Sequence, residues 1–391
     1  MLTNIKNFSV INITKYFRII KSQFNKPKPF VSDVFNKERE KKVLITYLTD
    51  PFIKQIPIAH SNYLEAVEIA KVFDKLGFGV DVYQYNSPFN KKLFNNVNYD
   101  VVFGIEPNFL RAVEVFKPRK SIYYATGAYW EFQNNAENRQ IEKLRKRKNI
   151  ALPQVRKVIP HDSSNIANSV ICIGNDWTKS TYKGHCNKII CIPVSALKYF
   201  SFQKITRQKK WGKASKNFLW FGSSGAVHKG LDLLLDIFPK HPELHLYICG
   251  RVQIETRFLK IYKNELFNTP NIHYVGWIVP NSSKYLSIVT KCAFTILPSC
   301  SEGMSSSIAT NMMSGLIPVT TRETGINIKN RYGFIIEDFK LSSVEKLLIR
   351  TKQISEKQLK ELSYEAYKHA TMNFSINNFR KKFTLALQKN I

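Results

Sequence analysis

"SCSEGMSSSIATNMMSGLIPV", residues 299–319, follows the apolar run "CAFTILP" and ends in the strand-like "LIPVTT". The stretch between them reads as a helix whose first turn holds one acidic residue, Glu302, among small and hydroxyl residues. A helix N-terminus leaves about four backbone N–H groups unpaired and carries partial positive charge, so it is a place where anionic groups are held. Gly303, Ser305, Ser306 and Ser307 keep that end open and hydrogen-bonding. A plainer reading is that Ser301 or Ser305 caps the helix and Glu302 merely sits well near the dipole's positive end. These residues alone leave both readings open.

The strand–helix alternation continues on either side. Upstream lie "NFLWFGS", a helix in "KGLDLLLDIFPKH", "LHLYICG", a helix in "ETRFLKIYKNELF", "IHYVG" and a helix in "SSKYLSIVTKC". Earlier still, "KKVLITYL" reads as a buried strand, and "SNYLEAVEIAKVFDKLG" as an amphipathic helix with Leu64, Val67, Ile69, Ala70 and Phe73 near helical spacing. "VDVYQY", "YDVVFGI", "SIYYATG", "SVICIG" and "KIICIPV" follow as short β-rich runs. The fold class expected is α/β: two doubly wound, Rossmann-like domains facing each other across a cleft, where ligands bind at the strands' C-terminal ends. The boundaries expected are a basic extension over 1–40, a first domain over 41–195, a polar linker over 196–216, a second domain over 217–372 and a closing helix over 373–391.

Composition narrows the class of function. The 391 residues are 44% hydrophobic, which excludes a disordered chain, and contain no apolar run long enough for a membrane helix. The start lacks a signal-peptide cleavage site, and the six cysteines form no CxxC pair, so a cytoplasmic location is expected. His185, Cys186 and Cys191 in "HCNKIIC" find no second pair to complete a metal site, and no metal is expected. The net charge of +30 is partly clustered, with ten basic and three acidic residues in 1–42, and eight basic and one acidic in 139–158. Such a field draws phosphates, whether of nucleotides, lipid head groups or nucleic acid, unless it is only a solvated basic face. Without a recognisable reading module, nucleic acid is the least expected partner.

"FLWFGSSGAVHKGLDLLLDIF", "LHLYICG", "NIHYVGWI" and "PSCSEGMSSSIATNMMSGLIPVTT", in that order, resemble the donor-binding domain of GT-B glycosyltransferases of the family 4 type. The resemblance covers about residues 217–372, and is looser over "HSNYLEAVEIAKVFDKLGFGVDV" and "YYATGAYWEFQNNAENRQ". It implies a closing helix, "FSINNFRKKFTLAL", that crosses back onto the first domain. It also implies transfer of a sugar from a nucleotide-sugar donor, with retention and without a bound metal or other cofactor. The chain accordingly has no Asp-x-Asp triplet. The leaving nucleoside diphosphate gains negative charge, which preorganised donors must stabilise.

From the resemblance, Lys229 and Glu302 are the expected catalytic residues, Lys229 for the diphosphate and Glu302 for sugar hydroxyls. Gly222, Ser223, Ser224, Gly225, Gly250, Arg251, Trp277, Gly303, Met304, Ser305, Ser306 and Thr310 are the expected donor-binding positions. The family commonly has arginine where Ser224 stands and a ribose-binding glutamate where Thr310 stands. Arg251 is a candidate substitute cation, and Trp277 a candidate neighbour of the base. On the acceptor side, His60 and Asn62 begin the helix after the loop "DPFIKQIPIA", which in the resembled fold has its counterpart over the donor phosphates, and Thr126, Gly127, Tyr129, Trp130 and His161 follow strand ends. The acceptor expected is a glycan or a lipid-linked glycan. Arg145, Lys146, Arg147, Lys148 and the basic N-terminal segment are candidates for an anionic membrane surface, which makes a peripheral location the corollary. The alternative class is an inactive GT-B-like glycan-binding or scaffolding protein, for which Ser224 and Thr310 are the main support.

Overall fold

The computed structural model describes residues 28–53, 60–95 and 97–391. Residues 1–27 of the expected N-terminal extension and 54–59 of the loop over the phosphates lie outside them.

The first sheet takes β1 (Phe30–Val31), β2 (Lys41–Tyr47), β3 (Phe78–Gln84), β4 (Val101–Gly104), β5 (Lys120–Ala125), β6 (Ser169–Ile173) and β7 (Ile189–Ile192) in the order β1-β3-β2-β4-β5-β6-β7. All pairings are parallel except β1 with β3. The second sheet takes β8 (Asn217–Phe221), β9 (His245–Cys249), β10 (Ile272–Tyr274), β11 (Phe294–Leu297), β12 (Ile317–Thr320) and β13 (Phe334–Ile335) in the order β10-β9-β8-β11-β12-β13, all parallel. Helices cover both sheets, so the strands are buried on two faces and read as continuous β-branched and aromatic runs. Val43, Ile45, Phe218, Trp220 and Ile296 are all at most 1% exposed.

Six helices carry the argument about the site: α1 (Ser61–Lys75), α2 (Trp130–Lys148), α3 (Leu231–Ile237), α4 (Ser306–Met313), α5 (Glu356–Asn373) and α6 (Ile376–Gln388). Helix α6 returns to the first domain and packs on α1, where Phe383 meets Phe73 and Phe103 edge-on at 6.3 and 5.5 Å. Arg380 pairs there with Glu68.

Three sequence expectations are corrected. The first domain starts before residue 41, because β1 adds to the edge of β3 and the amide of Gln84 donates to Pro29 O at 2.8 Å. The stretch 196–216 is no loose linker: it forms helices at Phe202–Gln208 and Trp211–Ala214, and buries Leu197, Ile205, Trp211 and Ala214. The basic end of α2 does not stand free. Arg147 reaches Asp232 and Asp236 of the second domain at 2.5 and 3.0 Å, Lys148 reaches Asp236 at 2.7 Å, and Arg145 is held by Glu142.

Between the domains the chain crosses in four residues tied to both sides. Ser195 donates through N–H and Oγ to Glu65 of α1, Ala196 N–H donates to Phe374 O, and Leu197 N–H donates to Thr310 Oγ1 of α4. Val194 N–H faces the Met304 sulfur at 3.4 Å. This crossing forms part of the floor of the cleft.

Candidate active site

A cavity of about 470 Å³ opens between the domains. The second domain lines it with Gly222, Ser223, Lys229, Trp277, Glu302, Met304, Ser305, Ser306, Ser307 and Thr310, and the first with His60, Asn62, Glu65, Thr126 and Arg156.

Two loops of the second domain meet at its base. The loop after β8 carries Lys229, and the loop after β11 carries Glu302. His228 joins them: its ring is fully buried, Nε2 bonds Ser301 O, and its own carbonyl accepts from Cys300 N–H at 2.9 Å. Burial holds its pKa down to about 3, so the imidazole is neutral and donates from Nε2. Trp220 Nε1 donates to Lys229 O at 3.2 Å and fixes the lysine's backbone from the other side.

The result is an ion pair between Lys229 and Glu302, with side chains only 8% and 14% exposed. Ser299 Oγ donates to the same carboxylate at 3.1 Å. Burial by itself would raise the Glu302 pKa, but the charges of Lys229 and Arg156 outweigh it and hold the carboxyl at about 2. The Glu302 carboxylate is thus presented ionised, against Lys229, at one cavity wall.

The helix α4 opens toward this wall without a side-chain cap. Ser305 is its N-cap residue, yet its Oγ pairs with Ser307 Oγ instead of a backbone N–H. Capping therefore does not account for the serines. Gly303 sits where the second domain touches the first: its carbonyl accepts from Thr178 Oγ1 at 2.7 Å, and it does not line the cavity.

Other expected donor positions are placed differently. Ser224 does not line the cavity. Gly225 turns its amide to Glu255 Oε1 at 2.6 Å, away from any phosphate, and Ala226 N–H follows it. Gly250 packs against Trp220, and its N–H donates to Gly276 O. Arg251 lies over the Trp277 ring, 4.4 Å from its centroid, so it braces that indole at the cavity mouth and is not itself a wall residue. Thr310 lines the cavity, but its hydroxyl oxygen already accepts from Leu197 N–H at 3.2 Å.

On the first-domain side His60, Asn62 and Thr126 face the cavity. His60 Nδ1 accepts from Asn62 N–H at 3.2 Å, which leaves the proton on Nε2, and desolvation with the charges of Lys229 and Arg156 lowers its pKa. Four candidates turn away. Tyr129 stacks on His185 with centroids 3.9 Å apart, which also places that histidine in packing. Trp130 packs in the same apolar cluster. Gly127 gives its carbonyl to Tyr182 Oη at 2.9 Å. His161 sits against Tyr123 and Glu106, 3.6 Å from the latter's Oε1.

The family model for glycosyl transferases group 1 matches residues 215–350, the segment that carries both loops, Lys229 and Glu302. The second domain is a group 1 glycosyltransferase domain. A comparison with curated proteins by sequence finds no match. Among solved structures the whole chain resembles sucrose-phosphate synthase from Thermosynechococcus elongatus, with TM-score 0.64 and 11% identity over 90% of this chain and 99% of that one. It also resembles HepE of Anabaena in complex with UDP and glucose, with TM-score 0.60 and 13% identity over 90% and 100%. A glycosyltransferase from Rickettsia africae gives TM-score 0.59 and 14% identity over 91% and 100%. The fold is GT-B.

Two charged residues of the cavity wall escape a reading of the sequence. Glu65 sits within α1 and looks like an ordinary helix carboxylate, yet it is buried in the cavity wall and its pKa is raised by that burial. Arg156 lies in the run "ALPQVRKV", which has no periodicity, and its position depends on contacts with α2 that no local pattern announces. Among the described residues no group of three or more His, Cys, Asp or Glu side chains is placed to hold a metal ion.

Proposed function

We propose that this glycosyltransferase binds a nucleotide-sugar donor in the interdomain cavity and passes the sugar to a glycan or lipid-linked acceptor, with retention and without a metal, in the manner of family 4. The observation that carries the proposal is the buried Lys229–Glu302 pair at the base of a cavity lined by both domains. Lys229 stands where an ammonium meets a diphosphate, and Glu302 is an acceptor for sugar hydroxyls that stays ionised. As the glycosidic bond breaks, charge grows on the diphosphate beside Lys229 and the open N-terminus of α4, both fixed beforehand by the packed loops. His60, with its proton on Nε2, offers a donor from the acceptor wall. That HepE was solved with UDP and glucose supports the donor class.

The test is thermal melting of the purified chain with UDP, GDP, ADP and their sugar conjugates, on the wild type, Lys229→Ala and Glu302→Ala. At a hundredfold excess over Kd, a ligand stabilises by about 2.7 kcal/mol. The expected result is a shift with one nucleoside diphosphate that disappears in Lys229→Ala, and a further shift with one sugar conjugate that disappears in Glu302→Ala. No shift with any nucleotide at millimolar concentration would refute the donor site.

The site of action proposed is cytoplasmic, at an anionic membrane surface. Its support is the +30 charge and the N-terminal basic segment; Arg147 and Lys148 are withdrawn from it by their ion pairs. Among the described residues no helix is long and apolar enough to cross a membrane. Liposome flotation with phosphatidylserine at low and high salt checks this, and binding that ignores both lipid charge and salt would overturn it.

A further inference from the structure

The Lys229 and Glu302 charges cancel one another, so a dianionic diphosphate needs a further cation. The resemblance would place an arginine at position 224, and the chain has serine there, off the cavity wall.

Arg156 comes to the same place from the other domain. It lines the cavity, and its Nε is buried without a hydrogen-bond partner. Among the described residues its guanidinium makes no ion pair. Of the nearby carboxylates, Glu302 is paired with Lys229, and two more are engaged by backbone amides: Glu137 accepts from Val155 and Arg156 N–H at 3.1 and 3.0 Å, and Glu255 accepts from Gly225 and Ala226 N–H at 2.6 and 3.1 Å.

The arginine is also held rigidly. Gln133 of α2 donates to Arg156 O at 2.7 Å, and Asn134 exchanges two hydrogen bonds of 2.8 Å with Val158. Gln154 donates back to Asn134 O at 2.7 Å. The backbone on both sides of Arg156 is therefore pinned to one helix face, which leaves only the side chain to order on binding.

Its direction is set by Gly225. That glycine has φ +88°, and a Cβ built on it would lie 2.5 Å from Arg156 Cγ. The aliphatic stem thus rests on the backbone of the loop 222–226, whose first two residues line the cavity. His60, Asn62 and Thr126 form the acceptor-side wall instead.

We propose that Arg156, delivered by the first domain, is the second cation for the donor diphosphate, replacing an arginine of the 222–230 loop and completing the donor site across the domain boundary. This rests on the donor reading above. It makes diphosphate binding depend on how the two domains are set, since Lys229 and Arg156 converge on one ligand from opposite sides.

The test uses the full chain and the substitution Arg156→Gln, which keeps the stem over Gly225 and removes the charge. Affinities are measured by calorimetry for UDP, GDP and ADP against UMP, GMP and AMP. For whichever base the wild type binds, the substitution should weaken the diphosphate roughly tenfold or more, as loss of a charge-assisted hydrogen bond does, and leave the monophosphate unchanged. A folding defect would weaken both alike, which overturns the assignment, as does an unchanged diphosphate preference. An unchanged preference with a raised KM for the acceptor would overturn it too, by moving Arg156 to the acceptor. If the wild type binds none of the six, the donor reading itself falls and this inference with it.

Discussion

Burial should make Glu302 reluctant to ionise, yet Lys229 and Arg156 hold its carboxyl at about 2 against an ordinary 4.5. The folded-state pKa is the lower one, so the carboxylate stabilises the fold above about 4.5, and that contribution drains away as the pH falls toward 2. The difference is worth about 3 kcal/mol at neutral pH. Urea unfolding of the wild type should therefore steepen in its pH dependence between pH 5 and 2, and Glu302→Gln should flatten that segment. Equal slopes in the two proteins would take Glu302 out of the account. At this scale the sequence was informative where chemistry is local. Lys229 and Glu302 each sit in a short, unusual setting, a lysine at a helix start and an acid among serines, which the resemblance singled out from the plainer capping reading, and both line the cavity. Arg156, Tyr129 and His161 were not legible in the same way. Whether a side chain after a strand turns to the cleft or to the core depends on partners far along the chain, such as His185 for Tyr129 and Glu106 for His161.

Elements were easier to read than the spaces between them. Strands buried on both faces announce themselves as β-branched and aromatic runs, and ten of the thirteen observed strands span four residues or more. The pairs Phe30–Val31 and Phe334–Ile335 are too short for any pattern. The stretch 196–216 looked like a polar linker because its apolar residues are sparse; Ile205, Trp211 and Ala214 become core only against the second domain. The loop between β11 and α4 shows what such packing demands. A Cβ on Gly303 would stand 2.6 Å from Ile173 O and 2.8 Å from Thr126 O, two carbonyls fixed at the ends of first-domain strands. Gly303→Ala must push the loop back, strain the Thr178 contact and draw Glu302 away from the first-domain wall. The expected outcome is an unchanged far-ultraviolet spectrum, a melting temperature lowered by a few degrees, about what 1 kcal/mol does, and a lost response to nucleotide. A full nucleotide shift in this variant would show that the loop tolerates a wider domain gap.

Across the whole molecule the cleft is set by contacts remote from it. The crossing at Val194–Leu197 ties both domains to its floor, α6 straps the chain's end onto α1, and Arg147 locks the far seam. The Arg147 partners Asp232 and Asp236 have side chains only 3% and 8% exposed. Removing the cation leaves the buried Asp232 carboxylate without its partner, while Asp236 keeps Lys148 at 2.7 Å; losing a buried partner costs on the order of 3–5 kcal/mol, whereas removing charges on both sides costs much less. The seam lies between domains, so Arg147→Ala should lower the stability of their association more than that of either core. Calorimetry should then show the single unfolding transition broaden or separate into two, and Arg147→Ala with Asp232→Asn should recover part of the loss. Strict additivity in that cycle would mean the charges do not hold the seam. With coupling, the same variant becomes a probe of the donor site, because any loosening of the seam should weaken nucleoside diphosphates, which need both Lys229 and Arg156, before it weakens monophosphates.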